Sequence, residues 1–289
     1  MATDGRRYDT AGEYEVRASD VEYQSGEAGR WEARIYEPIG AGPFPVLLDV
    51  HGGAWSAGSR LGGELINEGL AASGLVIVAV DFRLAPDHPY PSQIEDVNYA
   101  TRWLKAHAGD FNADTRTVGG IGSSSGGHTV LLSAMRPLDP RYAVLPMADE
   151  TVDASLDYIV AAWPVLDPYA RYQYAKESGR DRLVTATEGY FLNEDAMKEG
   201  NPQGILERGE RAEMPPLLII QGTADENIPM SIPERFVEAY RGAGGSVELE
   251  IFPGLPHAFG RTPSPGTDRA IDLIKAFVAR QLATSKAAV

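Results

Sequence analysis

Gly122-Ser123-Ser124-Ser125-Gly126 sets a serine midway between two glycines, each two positions away. That spacing suits a sharp turn from strand to helix. Glycine leaves room where a Cβ would collide, and the central residue is held in a strained backbone with its hydroxyl pushed outward. The strand-like run TVGGI precedes the pentapeptide and the helix-like run 127–135 follows it. Ser123 and Ser125 lack a glycine on both sides at that distance, which makes Ser124 the candidate nucleophile. A Gly/Ser-rich turn capping a helix would carry the same letters, so the assignment depends on partners elsewhere in the chain.

A serine hydroxyl attacks a carbonyl only when a base takes its proton and a third group orients that base. With this kind of elbow, the chain order runs Ser, then Asp or Glu, then His. Two histidines follow Ser124. His128 lies four residues on in the same helix, where its ring packs beneath the turn. His257 lies in the loop PGLPHAFG after the apolar run VELEIF, so it can swing over the strand ends and is the candidate base. For the acid, PLLIIQGTADENIP places Asp225 just past a buried strand, three residues after Gly222. A carboxylate there can accept from the histidine and fix its tautomer. Glu226 is the rival, one residue further into the loop.

The chemistry also needs donors for the oxyanion. His51-Gly52-Gly53-Ala54-Trp55 follows the apolar run PVLLDV, and paired glycines let backbone N–H groups converge on a small anion. Gly52, Gly53, Ala54 and Ser125 are the candidate donors, with Gly53, Ala54 and Ser125 preferred. His51 precedes the nucleophile and reads as a hydrogen-bonding support for its loop. Trp55, Tyr90, Trp163, Tyr169, Tyr172, Tyr190 and Phe191 are candidate substrate-pocket walls, and ordinary core packing explains any one of them equally well.

The elements that must position these groups alternate. Apolar runs at 45–50, 75–81, 117–122, 156–163, 216–222 and 247–252 are separated by helix-like stretches, the pattern of an α/β fold with a mostly parallel central sheet flanked by helices. Residues 94–107 and 268–282 carry apolar positions at helical spacing. The reading is one domain over 1–289, with insertions forming a cap from about 1–30, 136–155 and 167–213.

Lys plus Arg is 26 against 41 for Asp plus Glu, a net charge of −15, which argues against nucleic acid as a partner. There is no cysteine, so disulfides, thiolate metal sites and a cysteine nucleophile are excluded. No stretch reaches the ~18 apolar residues of a membrane span and no signal-like apolar region opens the chain. A cytoplasmic protein is therefore expected, without membrane, metal or cofactor. A homodimer is one assembly open to it.

HGGAWSAG (51–58), VDFRLAPDHPYPSQIEDV (80–97), GSSSGG (122–127), QGTADENIP (221–229) and PHAFG (256–260) resemble, in order, the hormone-sensitive-lipase-like and acetyl-esterase-like carboxylesterases of the α/β-hydrolase fold. The resemblance covers roughly 31–135 and 214–282. It implies a serine esterase acting on a small-molecule ester through an acyl-enzyme, with Asp81 and Arg83 bracing the oxyanion loop. Ala54 replaces the third glycine of the common HGGG motif, and Ser123 stands where many members carry an acid. Both departures are similar to those of neighbouring acetyl-esterase and feruloyl-esterase-like groups. Two alternatives stay open: an amide, formamide or lactone hydrolase with the same triad, and a non-catalytic ligand-binding homologue.

Overall fold

In a computed structural model, which describes residues 8–26 and 29–285, the strands form one eight-stranded sheet. They are β1 (Val16–Gly26), β2 (Gly29–Pro38), β3 (Phe44–Val50), β4 (Val76–Val80), β5 (Ala113–Ser123), β6 (Tyr158–Ala162), β7 (Leu217–Gly222) and β8 (Val247–Phe252). Their order across the sheet is β1-β2-β4-β3-β5-β6-β7-β8. β1, β2 and β4 pair antiparallel, while β4, β3 and β5 to β8 run parallel. All parallel strands therefore end at one edge, where the loops after β3, β5, β7 and β8 meet. This is the α/β-hydrolase fold.

The central strands are buried on both faces because helices cover both. α2 (Ser92–His107), α3 (Ser125–Met135) and α8 (Ser231–Gly242) pack on one side against Val46, Leu48, Ile159 and Ile219. α1 (Glu64–Ala71) and α9 (Pro265–Ser285) cover the other, against Leu47, Ile77, Val160 and Leu218. No helix among the described residues is long and apolar enough to cross a membrane.

Two parts of the expected cap belong elsewhere. Residues 16–26 form the antiparallel edge strand β1, paired with β2. Its outer face meets solvent, so it alternates polar and half-buried residues and lacks the continuous apolar run of a doubly covered strand. Residues 1–7 and 27–28 of that segment lie outside the described residues. Residues 136–155 descend along α2, where Asn98 Nδ2 donates to the Pro137 carbonyl (2.9 Å), Arg102 to that of Leu145 (2.9 Å) and Lys105 pairs with Asp153 (2.8 Å). This segment reaches upward at Tyr142, whose hydroxyl meets that of Tyr90 at 2.7 Å.

The insertion between β6 and β7 folds as four short helices: α4 (Pro168–Glu177), α5 (Asp181–Phe191), α6 (Glu194–Glu199) and α7 (Pro202–Glu207). Asp167, Asn193 and Asn201 cap α4, α6 and α7 by accepting from backbone N–H groups in the first turn.

Candidate active site

β5 ends at Ser123 and α3 begins at Ser125, which leaves Ser124 alone at the turn, with φ 53° and ψ −118°. Such a backbone costs roughly 1–3 kcal/mol in a residue with a Cβ, and fixed neighbours hold it in place. Its N–H donates to the Ala162 carbonyl (2.9 Å) and its carbonyl accepts from Val165 (3.0 Å). Both flanking glycines are sterically required. A Cβ on Gly122 would come within 2.6 Å of the Gly126 carbonyl, and one on Gly126 would collide with the carbonyls of Val50 and His51.

The hydroxyl, the imidazole and the carboxylate form one hydrogen-bonded row. Ser124 Oγ lies 3.0 Å from His257 Nε2, and His257 Nδ1 lies 2.8 Å from Asp225 Oδ2. Asp225 is buried, and burial alone would raise its pKa. The bond from His257, the nearby charge of that ring, the Ile228 amide and Gln221 outweigh this and hold it below the ordinary carboxylate value. Asp225 Oδ1 accepts from the amides of Asn227 and Ile228, both at 2.8 Å, and Oδ2 accepts also from Gln221 Nε2 at 2.9 Å. With both oxygens so engaged, the carboxylate orients the ring and stays ionised. Glu226 instead points to solvent and pairs with Arg180.

The loop after β3 wraps around the elbow. Gly53 has φ 140°, and a Cβ there would collide with the Ala57 carbonyl, so this position admits only glycine. Ala54 (φ 52°) and Trp55 (φ 61°) follow in the left-handed region. The two serines beside the nucleophile fasten this loop: the Gly52 N–H donates to Ser123 Oγ and the Trp55 N–H to Ser125 Oγ, both at 3.2 Å. Gly52, expected as a donor to the oxyanion, has thus committed its N–H elsewhere. The amides of Gly53 and Ala54 have no partner among the described residues and lie, like Ser125 N–H at the first turn of α3, in segments flanking Ser124. This fastening by Ser123 and Ser125 left no trace in the sequence, because a serine beside an elbow reads as turn-forming.

Two other histidines near the elbow, His51 and His128, hold structural hydrogen bonds. His51, whose charged form burial disfavours, bonds the Gly52 carbonyl through Nδ1 (2.9 Å) and stacks on Phe82. His128 is buried beneath the elbow. It accepts from Trp55 Nε1 at Nδ1 (3.2 Å), so Nε2 carries the proton donated to the Gly200 carbonyl (2.8 Å), and burial pulls its pKa down to about 4.

The expected aromatic walls divide. Trp55 is 1% exposed and stacks on the fully buried Tyr190 at 5.2 Å, with Phe191 against its edge. Trp163, 2% exposed, packs on Phe259. Trp55, Tyr190 and Phe191 present no free face, and Trp163 borders only a small cavity of about 20 Å³. Burial of a large flat surface explains them better than substrate contact, and Trp55 with Tyr190 and Phe191 locks α5 onto the loop after β3. Tyr172 is buried and donates to Glu188 (2.6 Å). Half-buried Tyr90 bonds Glu199 and Tyr142, tying α6 to the 136–155 segment. Tyr169 lines a polar groove of about 390 Å³ with Lys198 and Arg235, away from the triad.

Asp81 and Arg83 brace this assembly from behind. Asp81 accepts from the Arg60 amide (2.7 Å) and pairs with its guanidinium (2.5 Å). Arg83 Nε donates to Asp96 at 3.0 Å and Nη2 to Glu95 at 2.7 Å, and α2 in turn sends Gln93 Nε2 to the Trp55 carbonyl (2.6 Å).

Comparison with known proteins adds the family. The model described as BD-FAE matches residues 34–240, which takes in the loop after β3, the elbow and Asp225. The chain belongs to that family. Among curated relatives, esterase LipC of Mycobacterium tuberculosis is 34% identical over 228 residues, covering 75% of this chain and 53% of the relative. The chain spans about half to two thirds of the length of the curated relatives it matches first, 53 and 64%. Among solved structures, Thermogutta terrifontis esterase 2 phosphoramylated by tabun superposes with a TM-score of 0.72 at 25% identity, covering 94% of this chain and 96% of that one. A hyperthermophilic esterase from Pyrobaculum calidifontis gives a TM-score of 0.76 at 23% identity over 92 and 84% of the two chains. In this BD-FAE chain the model match ends at residue 240, before His257.

Proposed function

We propose that this BD-FAE chain is a carboxylic ester hydrolase acting on small-molecule esters, with Ser124 as nucleophile, His257 as general base and Asp225 as its orienter. The observation that carries this reading is the continuous row from Ser124 Oγ through His257 to Asp225, with spacings of 3.0 and 2.8 Å. Ser124 Oγ attacks the ester carbonyl as His257 Nε2 takes its proton. The carbonyl oxygen becomes an oxyanion and is held by the amides of Gly53, Ala54 and Ser125. His257 then returns the proton to the departing alkoxide, leaving an acyl group on Ser124. Water attacks that acyl-enzyme with His257 again as base; the bond to Ser124 Oγ breaks, His257 hands its proton to that oxygen, and the carboxylic acid leaves. Asp225 stays ionised throughout and stabilises the imidazolium of each step. That the Thermogutta esterase is phosphoramylated by tabun supports a reading in which this chain too carries a nucleophile open to acylation.

The test is a panel of short-chain aryl esters, lactones and aryl amides, assayed with wild type and Ser124→Ala, beside labelling by a fluorophosphonate probe. We expect ester turnover and labelling in wild type, and a loss of about 10³-fold or more in the variant. Ester turnover that survives Ser124→Ala would refute the assignment.

A further inference from the structure

Arg171 lies in the middle of α4 and is 0% exposed. Its Nε and Nη2 both donate to Asn227 Oδ1, at 2.9 and 2.8 Å, and Nη1 donates to Thr187 Oγ1 of α5 at 3.1 Å. Its Cζ sits 5.5 Å from the centre of a Trp55 ring. Every acceptor it touches is neutral. Burial lowers its pKa to about 10, opposed by the charge of Asp225, so the guanidinium stays protonated at neutral pH.

A buried cation without a carboxylate in contact is costly, and an apolar side chain of similar size would pack on Trp55 without that cost. What the guanidinium does, and a methionine would not, is grip Asn227 with two parallel donors. Asn227 is the first of two residues whose amides hold Asp225 Oδ1. The same guanidinium faces Trp55, whose own amide is fastened to Ser125 and whose neighbour Ala54 supplies an oxyanion donor. One side chain from the helical insertion thus touches both loops that must stay in register with the nucleophile.

We infer that Arg171 is a positioning residue for the reaction: its two-pronged grip on Asn227 fixes the turn that aims Asp225 at His257, and its stacking on Trp55 ties that turn to the oxyanion loop. The inference rests on the hydrolase reading above. The positive charge also favours the ionised form of Asp225, so the proton taken from Ser124 stays on the imidazole. Closure of the insertion over the strand ends and assembly of the triad are then one event, because the residue that locks α4 and α5 together also sets the catalytic acid.

Kinetics of Arg171→Met, Arg171→Lys, Asn227→Ala and the double variant Arg171→Met/Asn227→Ala on a short-chain aryl ester test this. Each kcat is normalised to sites labelled by a fluorophosphonate, and thermal melts check folding. We expect Arg171→Met and Asn227→Ala each to lower kcat about 10-fold or more with KM within about twofold. The double variant should be no worse than the poorer single one, since both break the same link, and Arg171→Lys should fall between. Full kcat per labelled site in folded Asn227→Ala overturns the inference even if Arg171→Met fails to fold. So does an additive double variant, the sign of packing alone. Wild type inert towards both ester and probe would instead sink the hydrolase reading itself.

Discussion

Asp49 lies on β3 two residues before His51, buried on the α1 side of the sheet. Its carboxylate accepts from Asn67 Nδ2 at 2.7 Å and faces a cavity of about 20 Å³, also lined by Ser123 and Trp163. No cation pairs with it among the described residues. Burial therefore dominates and raises its pKa from 3.8 to about 6, against the lowering effect of the Asn67 and Val50 hydrogen bonds. Because the folded value lies above the unfolded one, the native state holds this proton more tightly. Stability from it is complete below about pH 4, declines as pH rises through about 6, and stays lost above that. At about 1.4 kcal/mol for each pH unit, the ionised group costs the fold about 3 kcal/mol at pH 8. Asp49→Asn removes the charge, although its new amide N–H needs an acceptor in the same small cavity, at a cost of about 1 kcal/mol or more. The expected net gain at pH 8 is about 1–2 kcal/mol, shrinking to nothing or reversing near pH 4. Urea melts of both proteins at several pH values from 4 to 8 measure it. A stability difference that does not change with pH, or a variant less stable than wild type at pH 8, would refute this account of Asp49.

His128 gives the opposite sign: its pKa is lowered from 6.5 to about 4, so its contribution is complete above pH 6.5 and lost as pH falls towards 4. His128→Gln should cost about 1 kcal/mol at pH 8 and flatten the acid side of the stability curve, as read from melts at pH 4.5 and 8. Gly53→Ala forces a Cβ into the Ala57 carbonyl and would displace the amide proposed to hold the oxyanion. Ester turnover should drop about 10²-fold or more while the far-ultraviolet circular dichroism stays native; undiminished turnover would remove Gly53 from the donor set. Arg83→Met would strand the carboxylate of Asp96, which is 0% exposed. A loss of about 3 kcal/mol or more in urea melts is expected, and a smaller loss would show that Gln24 and the Arg83 amide suffice to hold Asp96.

The sequence by itself determined the three side chains that the fold brings into one hydrogen-bonded row, and the parallel core. Glycines at 122 and 126 are dictated by steric room at one tight turn. The runs of β3, β4, β6 and β7 are continuous because both faces of those strands are buried, and apolar continuity is visible in one dimension. Ser124, Asp225 and His257 each follow a strand end, so chain order was enough to choose them. Tertiary structure decided the rest. β1 is an edge strand exposed on one face, and the 136–155 segment follows α2, because neither placement is coded by a local pattern. Trp55 and Tyr190 are sealed against each other, where an aromatic residue in a sequence reads equally as wall or core. Which amides of the Gly-Gly-Ala-Trp turn are left free was decided by two serine hydroxyls from another strand end, and the grip of Arg171 on Asn227 spans 56 residues. Steric demands are local and leave their mark on residue type. Hydrogen-bond partnership between distant loops exists only once the sheet has brought their ends together.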